Sequence, residues 1–463
     1  MMPNERAGRG RTLGERAIWI AVIGLIVLAA LAWGPLANSS SPTAPPSGSS
    51  GATVPSGSPA PAASGEATRS GATSSAPVSA SPSETPGPSL IASRLQLALD
   101  RVRAQLSIPG VSAAIIWNDG RTWVGASGLR DVAAGDPMTS GTAFALASIS
   151  KTFTAAVVLQ LVEEGRLSLD APVAPLLPQY KLDRRITLRM LLDHTSGLPD
   201  FFFGKGIDAA LQRAKGATWT PLQSWSYVPT PHATPGKVWY YSNTNYLLLG
   251  ELVTAVTGHP LAVEIRTRLL DPLGLTTAYY QAVEQPKEAG TLAYELLAKT
   301  GGGWTVRRVA PASDVMPFRS VVTAAGGAGS MAATALDTAR WMRAWAGGQV
   351  LDAAMQAQML ADVARTVKLH ASIPYGLGIQ RVTLDGYSAL GHTGRYLGIR
   401  NVVRYLPKAG ITIAVLTNQS VWDPNRIASA LLKVVLPAPS PSPSALGPGP
   451  AASPISSPTP SPS

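Results

Sequence analysis

The chain contains no cysteine. There is accordingly no disulfide and no thiol to carry a lipid, so stability has to come from an ordinary apolar core. No Gly-x-Ser-x-Gly elbow occurs, which argues against an α/β-hydrolase. Histidine is scarce, and His232, His259 and His370 are scattered without ligand spacing. The formal charge is +11. Yet there is no Lys/Arg run, zinc-finger spacing or RNA-binding signature, so nucleic acid is excluded as a partner. No internal repeat is visible either.

What is present divides into five stretches. Residues 1–16 carry Arg6, Arg9, Arg11 and Arg16 against Glu5 and Glu15. Residues 17–34 are uncharged and just long enough to span a membrane, with Trp19 and Trp33 near the two ends. The arginines in front predict a cytoplasmic N-terminus for an anchor in the cell membrane. The alternative is a cleaved signal peptide, since Ala30-Leu31-Ala32 fits a small-residue cleavage site. Either reading exports the rest. Residues 35–88 are Ser, Pro, Ala, Gly and Thr with few charges, and residues 437–463 have none. Neither can bury enough apolar surface to offset its ordering entropy, so both read as disordered. The folded part is 89–436, which holds nearly all of the positive excess. That excess suits anionic wall polymers or lipids outside the cell.

Within 89–436, Leu90–Leu106 has helical periodicity. Val111–Trp117 and Arg121–Ala126 flank Asn118-Asp119-Gly120 and read as a hairpin. Helices are expected near Leu188–Asp193, Tyr246–Thr257, Ala335–Ala346 and Asp423–Val435, and strands at Tyr387–Gly391, Ile399–Tyr405 and Ile411–Thr417. Strands thus gather at both ends with helices between. The expected class is α/β in the α+β sense, an antiparallel sheet flanked by helices plus a helical subdomain.

Three short motifs carry chemistry. Ser148-Ile149-Ser150-Lys151 opens an apolar helical run ending at Gly165. At i and i+3 the amine shares a face with the hydroxyl, and the helix start leaves N–H groups free for an oxyanion. No other lysine has a serine three residues before it. Tyr241-Ser242-Asn243 is the only Tyr-x-Asn and sits at a loop or helix entrance. A lysine ammonium beside Tyr241 would favour the phenolate, which could then take a proton from serine. Asn243 could orient Lys151 and a substrate amide. His392-Thr393-Gly394 is the only His-x-Gly, expected between two strands. There its backbone could pair with an extended substrate and its glycine would let the substrate come close. Singly, each motif is an ordinary turn or helix cap. His194 reads as a residue that holds a loop, and Glu163-Glu164 as a solvated helix end.

Together, in this order, the motifs resemble those of the serine β-lactamase and penicillin-binding-protein superfamily: class C β-lactamases, extracellular D-Ala–D-Ala carboxypeptidases and related esterases. The likeness extends to Leu191-Leu192-Asp193-His194-Thr195-Ser196-Gly197-Leu198, to Pro235-Gly236 and to Tyr375-Gly376-Leu377-Gly378. It covers essentially all of 89–436. The resemblance implies Ser148 as nucleophile, Lys151 as its activating partner and Tyr241 as general base, then acid. Asn243, His392, Thr393, Gly394 and Arg395 would bind substrate, with the N–H groups of Ser148 and Arg395 as oxyanion hole. No metal or cofactor is implied.

Many β-lactamases carry Lys where His392 stands. A largely neutral His weakens a carboxylate site there, although Arg395 could restore charge with a bidentate grip. The expected activity is therefore that of an exported serine hydrolase, carboxypeptidase- or amidase-like, acting at the cell wall on a D-Ala-terminated peptide. Ester hydrolysis and β-lactam hydrolysis are the alternatives within the superfamily. A non-catalytic muropeptide-binding sensor is the alternative outside enzymes.

Overall fold

The structure is a computed structural model that describes residues 88–436 apart from 232, 288 and 300–303. The expectations for 1–16, 17–34, 35–87 and 437–463 fall outside the described residues. No single helix among the described residues is long and apolar enough to cross a membrane.

Helix α1 (Pro88–Gln105) leads into strands β1 (Gly110–Trp117), β2 (Thr122–Asp131), β3 (Asp136–Pro137) and β4 (Phe144–Ala145), then helix α2 (Ser150–Glu163). A largely helical middle follows, including α3 (Asn243–Thr257) and short strands β5 (Tyr279–Tyr280), β6 (Tyr294–Ala298), β7 (Trp304–Arg308) and β8 (Met331–Ala333). Helix α4 (Ala335–Ala346) and the helix Ala353–Lys368 then lead to β9 (Gln380–Leu384), β10 (Tyr387–Tyr396), β11 (Ile399–Leu406), β12 (Ile411–Thr417) and helix α5 (Asn425–Val435).

The large sheet has seven strands in the order β3-β2-β1-β12-β11-β10-β9. Its centre joins the two chain ends, Val111 opposite Thr417 and Trp117 opposite Ile411. This is the antiparallel sheet and helical insertion expected from the sequence. It follows from the near-continuous apolar runs of the central strands, which are buried on both faces.

The two faces have different partners. Val111, Ala113, Ile115, Val402, Ile413 and Val415 pack with Leu95 and Leu99 of α1 and Ile427 and Leu431 of α5. Ala114, Ile116, Val403, Ala414 and Leu416 face Phe153 and Val157 of α2, Leu248 of α3 and Trp341 of α4. The second face is where α2 is clamped. Phe153 stacks on Trp341 with centroids 4.1 Å apart, and the Trp341 indole N–H donates to Thr152 Oγ1 at 2.7 Å. Losing that indole to alanine costs about 3–5 kcal/mol by the usual large-to-small penalty.

One strand departs from expectation. His392 was expected between two strands, but β10 runs unbroken to Tyr396 and pairs Tyr396 with Ile399. Gly394 is expected to let a substrate come close, and in the structure Gly391 and Gly394 each serve close approach of main chain. A Cβ at Gly391 would meet Val403 O at 2.0 Å, and one at Gly394 would meet Leu146 O at 2.1 Å. Pairing with β9 stops at Gly391, so residues 392–396 pair only with β11. That leaves a free strand edge beside the turn that carries Ser148.

Candidate active site

Ser148 lies in a single 3-10 turn, Ala147–Ile149, that runs directly into α2. Ala147 in front of it has φ +49°, a left-handed conformation rare for alanine. The turn is pinned from several sides. Leu146 N donates to Met331 O at 2.8 Å, Asn401 Nδ2 donates to Ala145 O at 2.8 Å, and Met331 N donates to Ser150 Oγ at 3.0 Å.

One turn further on, Lys151 is fully buried. Its Nζ lies 3.1 Å from Ser148 Oγ, 2.7 Å from Asn243 Oδ1 and 2.9 Å from Ala328 O. The Ala328 carbonyl is presented by the turn Gly326–Ala328, the glycine-rich break before β8. Burial pulls the lysine down to about 7, with Asp200 acting in the opposite direction. This arrangement has a chemical consequence. Carbonyl oxygens only accept, so a neutral Lys151 must spend its two N–H bonds on Asn243 and Ala328. Its lone pair is then left facing the Ser148 hydroxyl, where it can receive a proton.

Asn243 is the first residue of α3, three residues earlier than the helix start expected at Tyr246. Tyr241 sits just before it, with the Lys151 ammonium position 5.0 Å from its ring centroid. Its environment differs from the sequence expectation. Burial, first, and then neighbouring Tyr375 push the Tyr241 hydroxyl well above 10, against a hydrogen bond to Ser148 that lowers it. Desolvation outweighs any help from lysine, so the resting tyrosine is neutral.

His194 supports this wall of the site. It accepts at Nδ1 from Ser242 N at 3.2 Å and lies 3.2 Å from the Asn245 amide, which in turn receives the Ser196 hydroxyl at 2.6 Å. Its ring sits 4.3 Å from that of Tyr241.

His392 lies on the α2 side of the sheet, as the alternation along β10 requires. Its Nδ1 is 2.6 Å from Thr393 O, so Nδ1 carries the hydrogen and the Tyr375 hydroxyl donates to Nε2 at 2.9 Å. Burial, reinforced by Lys151, depresses His392 to about 3. The imidazole is neutral. Thr393 and Arg395 lie on the opposite sheet face, where Arg395 is paired with Arg400 across β11. Burial and that second guanidinium lower Arg395 to about 10. Gly394, between them, closes onto the serine turn.

The fold thus brings Ser148, Lys151, Tyr241, Asn243 and His392 around one point, with Gly394 beside the serine turn. Three contributors were not among the candidate residues. Tyr375 bonds His392, the Ala328 carbonyl bonds Lys151, and Asp200 accepts from Asn243 Nδ2 at 2.6 Å and from its backbone N at 3.1 Å. Tyr375 falls in a stretch singled out for its family likeness. Nothing at Asp200 signals a partner in α3.

An antiparallel sheet with a serine–lysine pair at the head of a buried helix defines a class of acyl-transferring serine hydrolases. The chain belongs to the Beta-lactamase family, whose model matches residues 95–436. It is 32% identical over 340 residues to penicillin-binding protein 4 of Amycolatopsis lactamdurans, covering 70% of this chain and 84% of that one. Esterase EstB of Burkholderia gladioli is 30% identical over 214 residues, 43% of this chain and 54% of the esterase. Among solved structures, a D-stereospecific amidohydrolase from Streptomyces sp. superposes with TM-score 0.61 at 29% identity, over 73% of this chain and 97% of that one.

Proposed function

We propose that this chain is an exported serine hydrolase working through an acyl-enzyme, with carboxypeptidase- or amidase-like action on D-amino-acid-terminated peptides or amides at the cell wall. The observation that carries the mechanism is the placement of Lys151, whose only free direction when neutral is toward Ser148 Oγ. Ser148 gives its proton to Lys151 while Oγ attacks the carbonyl carbon. The oxyanion is held by the N–H groups of Ser148 and Arg395. Neutral Tyr241 then protonates the leaving nitrogen and is resupplied from Lys151. Water enters on the vacated side, and the same groups run in reverse to release the acid. The substrate backbone lies along the free edge of β10, with Asn243 on its polar groups.

The substrate class is supported by the names of two relatives, a penicillin-binding protein and a D-stereospecific amidohydrolase. Export and wall location are supported by the basic residues before Ala17–Gly34 and by the formal charge of +11. Esterase action is a second reading. It is favoured by neutral His392, which leaves no cation at the third motif to hold a substrate carboxylate, and by the resemblance to esterase EstB.

The test is intact-mass spectrometry after exposure to a fluorescent penicillin and, separately, a fluorophosphonate, followed by turnover of D-amino-acid amides, D-Ala–D-Ala peptides and short esters. A Ser148 adduct with amide or peptide turnover supports the proposal. Ester turnover alone moves the assignment to the second reading, and rapid loss of the penicillin adduct moves it to β-lactamase. No adduct on folded protein leaves a non-catalytic muropeptide sensor.

A further inference from the structure

We propose that Asp200 is the anionic end of a buried relay, Asp200–Asn243–Lys151, that orients the Asn243 amide and governs the proton on Lys151. The inference rests on the reading of Lys151 as the proton acceptor of Ser148.

Three N–H groups converge on the Asp200 carboxyl: Phe202 N on one oxygen at 3.0 Å, and Asn243 N at 3.1 Å and Asn243 Nδ2 at 2.6 Å on the other. All three are donors, so the site is built for a carboxylate that only accepts. That carboxylate dictates which way the Asn243 amide points. Flipped, Asn243 would set its oxygen against an Asp200 oxygen and its NH2 against Lys151 Nζ, which is donor against donor. With Asp200 in place, Oδ1 must face Lys151, where it lies 2.7 Å away.

Burial raises the Asp200 carboxyl above the usual carboxylate range, opposed by the Phe202 and Asn243 N–H groups and by Lys151; it is also the one anion that acts on Lys151. The other ionisable groups near the lysine are Tyr241 and Tyr246, whose ring centroids are 5.0 and 5.5 Å from Nζ, and His194 and His392. Burial keeps all four neutral at working pH. Asp193, in the same neighbourhood, is ion-paired with Arg365. Burial raises Tyr240 and Tyr241, and the field of Asp200 adds to the rise in both. Asp200 is 3% exposed, so water does not screen its effect.

A purely structural account exists, because Asp200 sits at the N-terminus of α3 and bonds its first N–H. The two accounts differ in one readout. A helix cap sets the amount of folded enzyme, whereas the relay sets the pH at which Lys151 becomes a base. The experiment is the pH dependence of Ser148 labelling by a fluorophosphonate in the full chain, compared with Asp200→Asn and Asp200→Glu. Asparagine keeps the acceptor toward Asn243 and removes the charge; glutamate restores it.

The expected result is an acid limb near pH 7 in the unmodified enzyme. In D200N the limb moves down by about one to two pH units, the size of a single charge interaction through a partly polarisable interior. In D200E it returns to within about half a unit of the original. A D200N limb that stays in place while the rate falls overturns the relay. Absence of a Ser148 adduct, or of any limb, in the unmodified enzyme overturns the underlying reading instead. If circular dichroism shows D200N unfolded, 13C titration of the Asp200 carboxyl carbon in the unmodified enzyme decides. An inflection at the pH of the acid limb supports the relay, and a flat signal there overturns it.

Discussion

Among the described residues, two Lys or Arg side chains are buried, on opposite sides of the large sheet, Lys151 at 0% exposure and Arg404 at 2%. Both are driven down by desolvation, the lysine to about 7 and the arginine to about 10. The outcomes differ. Lys151 has Ser148, Asn243 and Ala328 around one nitrogen and Asp200 behind the amide, and it crosses its titration range near neutrality. Arg404 bonds only Gln380 Oε1, at 3.1 Å, leaves its Nε without a partner among the described residues, and stays charged at neutral pH. Burial alone makes a cation costly. What makes Lys151 useful is that the lysine can shed its proton and that two of its three partners can only accept.

The contrast can be broken first at its active end. Lys151→Met should lower acylation of Ser148 by about 10³-fold or more, the upper range for removing a general base. The readout is the single-turnover rate of probe adduct formation, with folding checked by circular dichroism. Tyr241→Phe removes the neutral acid and keeps the ring against His194. Amide turnover should fall by about 10²-fold, with a smaller loss on esters whose leaving group needs no proton.

A third prediction concerns stability. His392 is held neutral, at about 3 against 6.5 in the unfolded chain, and His194 is likewise lowered. Between those values the unfolded chain binds protons that the folded one does not. Stability must therefore fall as the pH drops from about 6.5 toward 3. His392→Asn, which cannot titrate, should unfold less steeply over that window in denaturant titrations. Lys151 works in the same sense at higher pH. Its unfolded form holds a proton between about 7 and 10.5, so its contribution to stability rises with pH through that range.

The smallest effect belongs to the other cation. Arg404→Met removes a buried charge on the sheet face away from Lys151, where it bonds Gln380 and adds only the last contribution to the lowering of His392. Activity should stay within about threefold and stability within about 1 kcal/mol, since replacing a buried charge by an apolar chain is often neutral. A large loss of activity in that variant would mean the two faces are not independent.

Much of this was legible in the sequence, and the exceptions have physical causes. The Ser148–Lys151 pair could be read because its geometry is local, two side chains one helical turn apart. The joining of β1 to β12 could be read because short, strongly apolar strand-like runs lie at both ends of the folded part. The sequence places His392 between two strands because its apolar strand run ends at Gly391, whereas Gly391 and Gly394 serve the approach of β10 to Val403 and Leu146 within one unbroken strand. Asn243 was expected near the helix entrance, and its exact partner set was not legible because it depends on Asp200, which arrives from a separate loop. Tyr241 was expected to be eased toward its phenolate by a lysine. Sequence shows the neighbour and conceals the burial that outweighs it.

The central claim is that Lys151, neutral near pH 7, takes the proton of Ser148. Its most direct test is the pH dependence of single-turnover labelling at Ser148, read by peptide mass spectrometry. The account predicts one adduct, on Ser148, whose rate of formation climbs through a midpoint near pH 7 and then levels, with the climb absent in Lys151→Met. A rate independent of pH between 5 and 9, or an adduct on another residue, would contradict it.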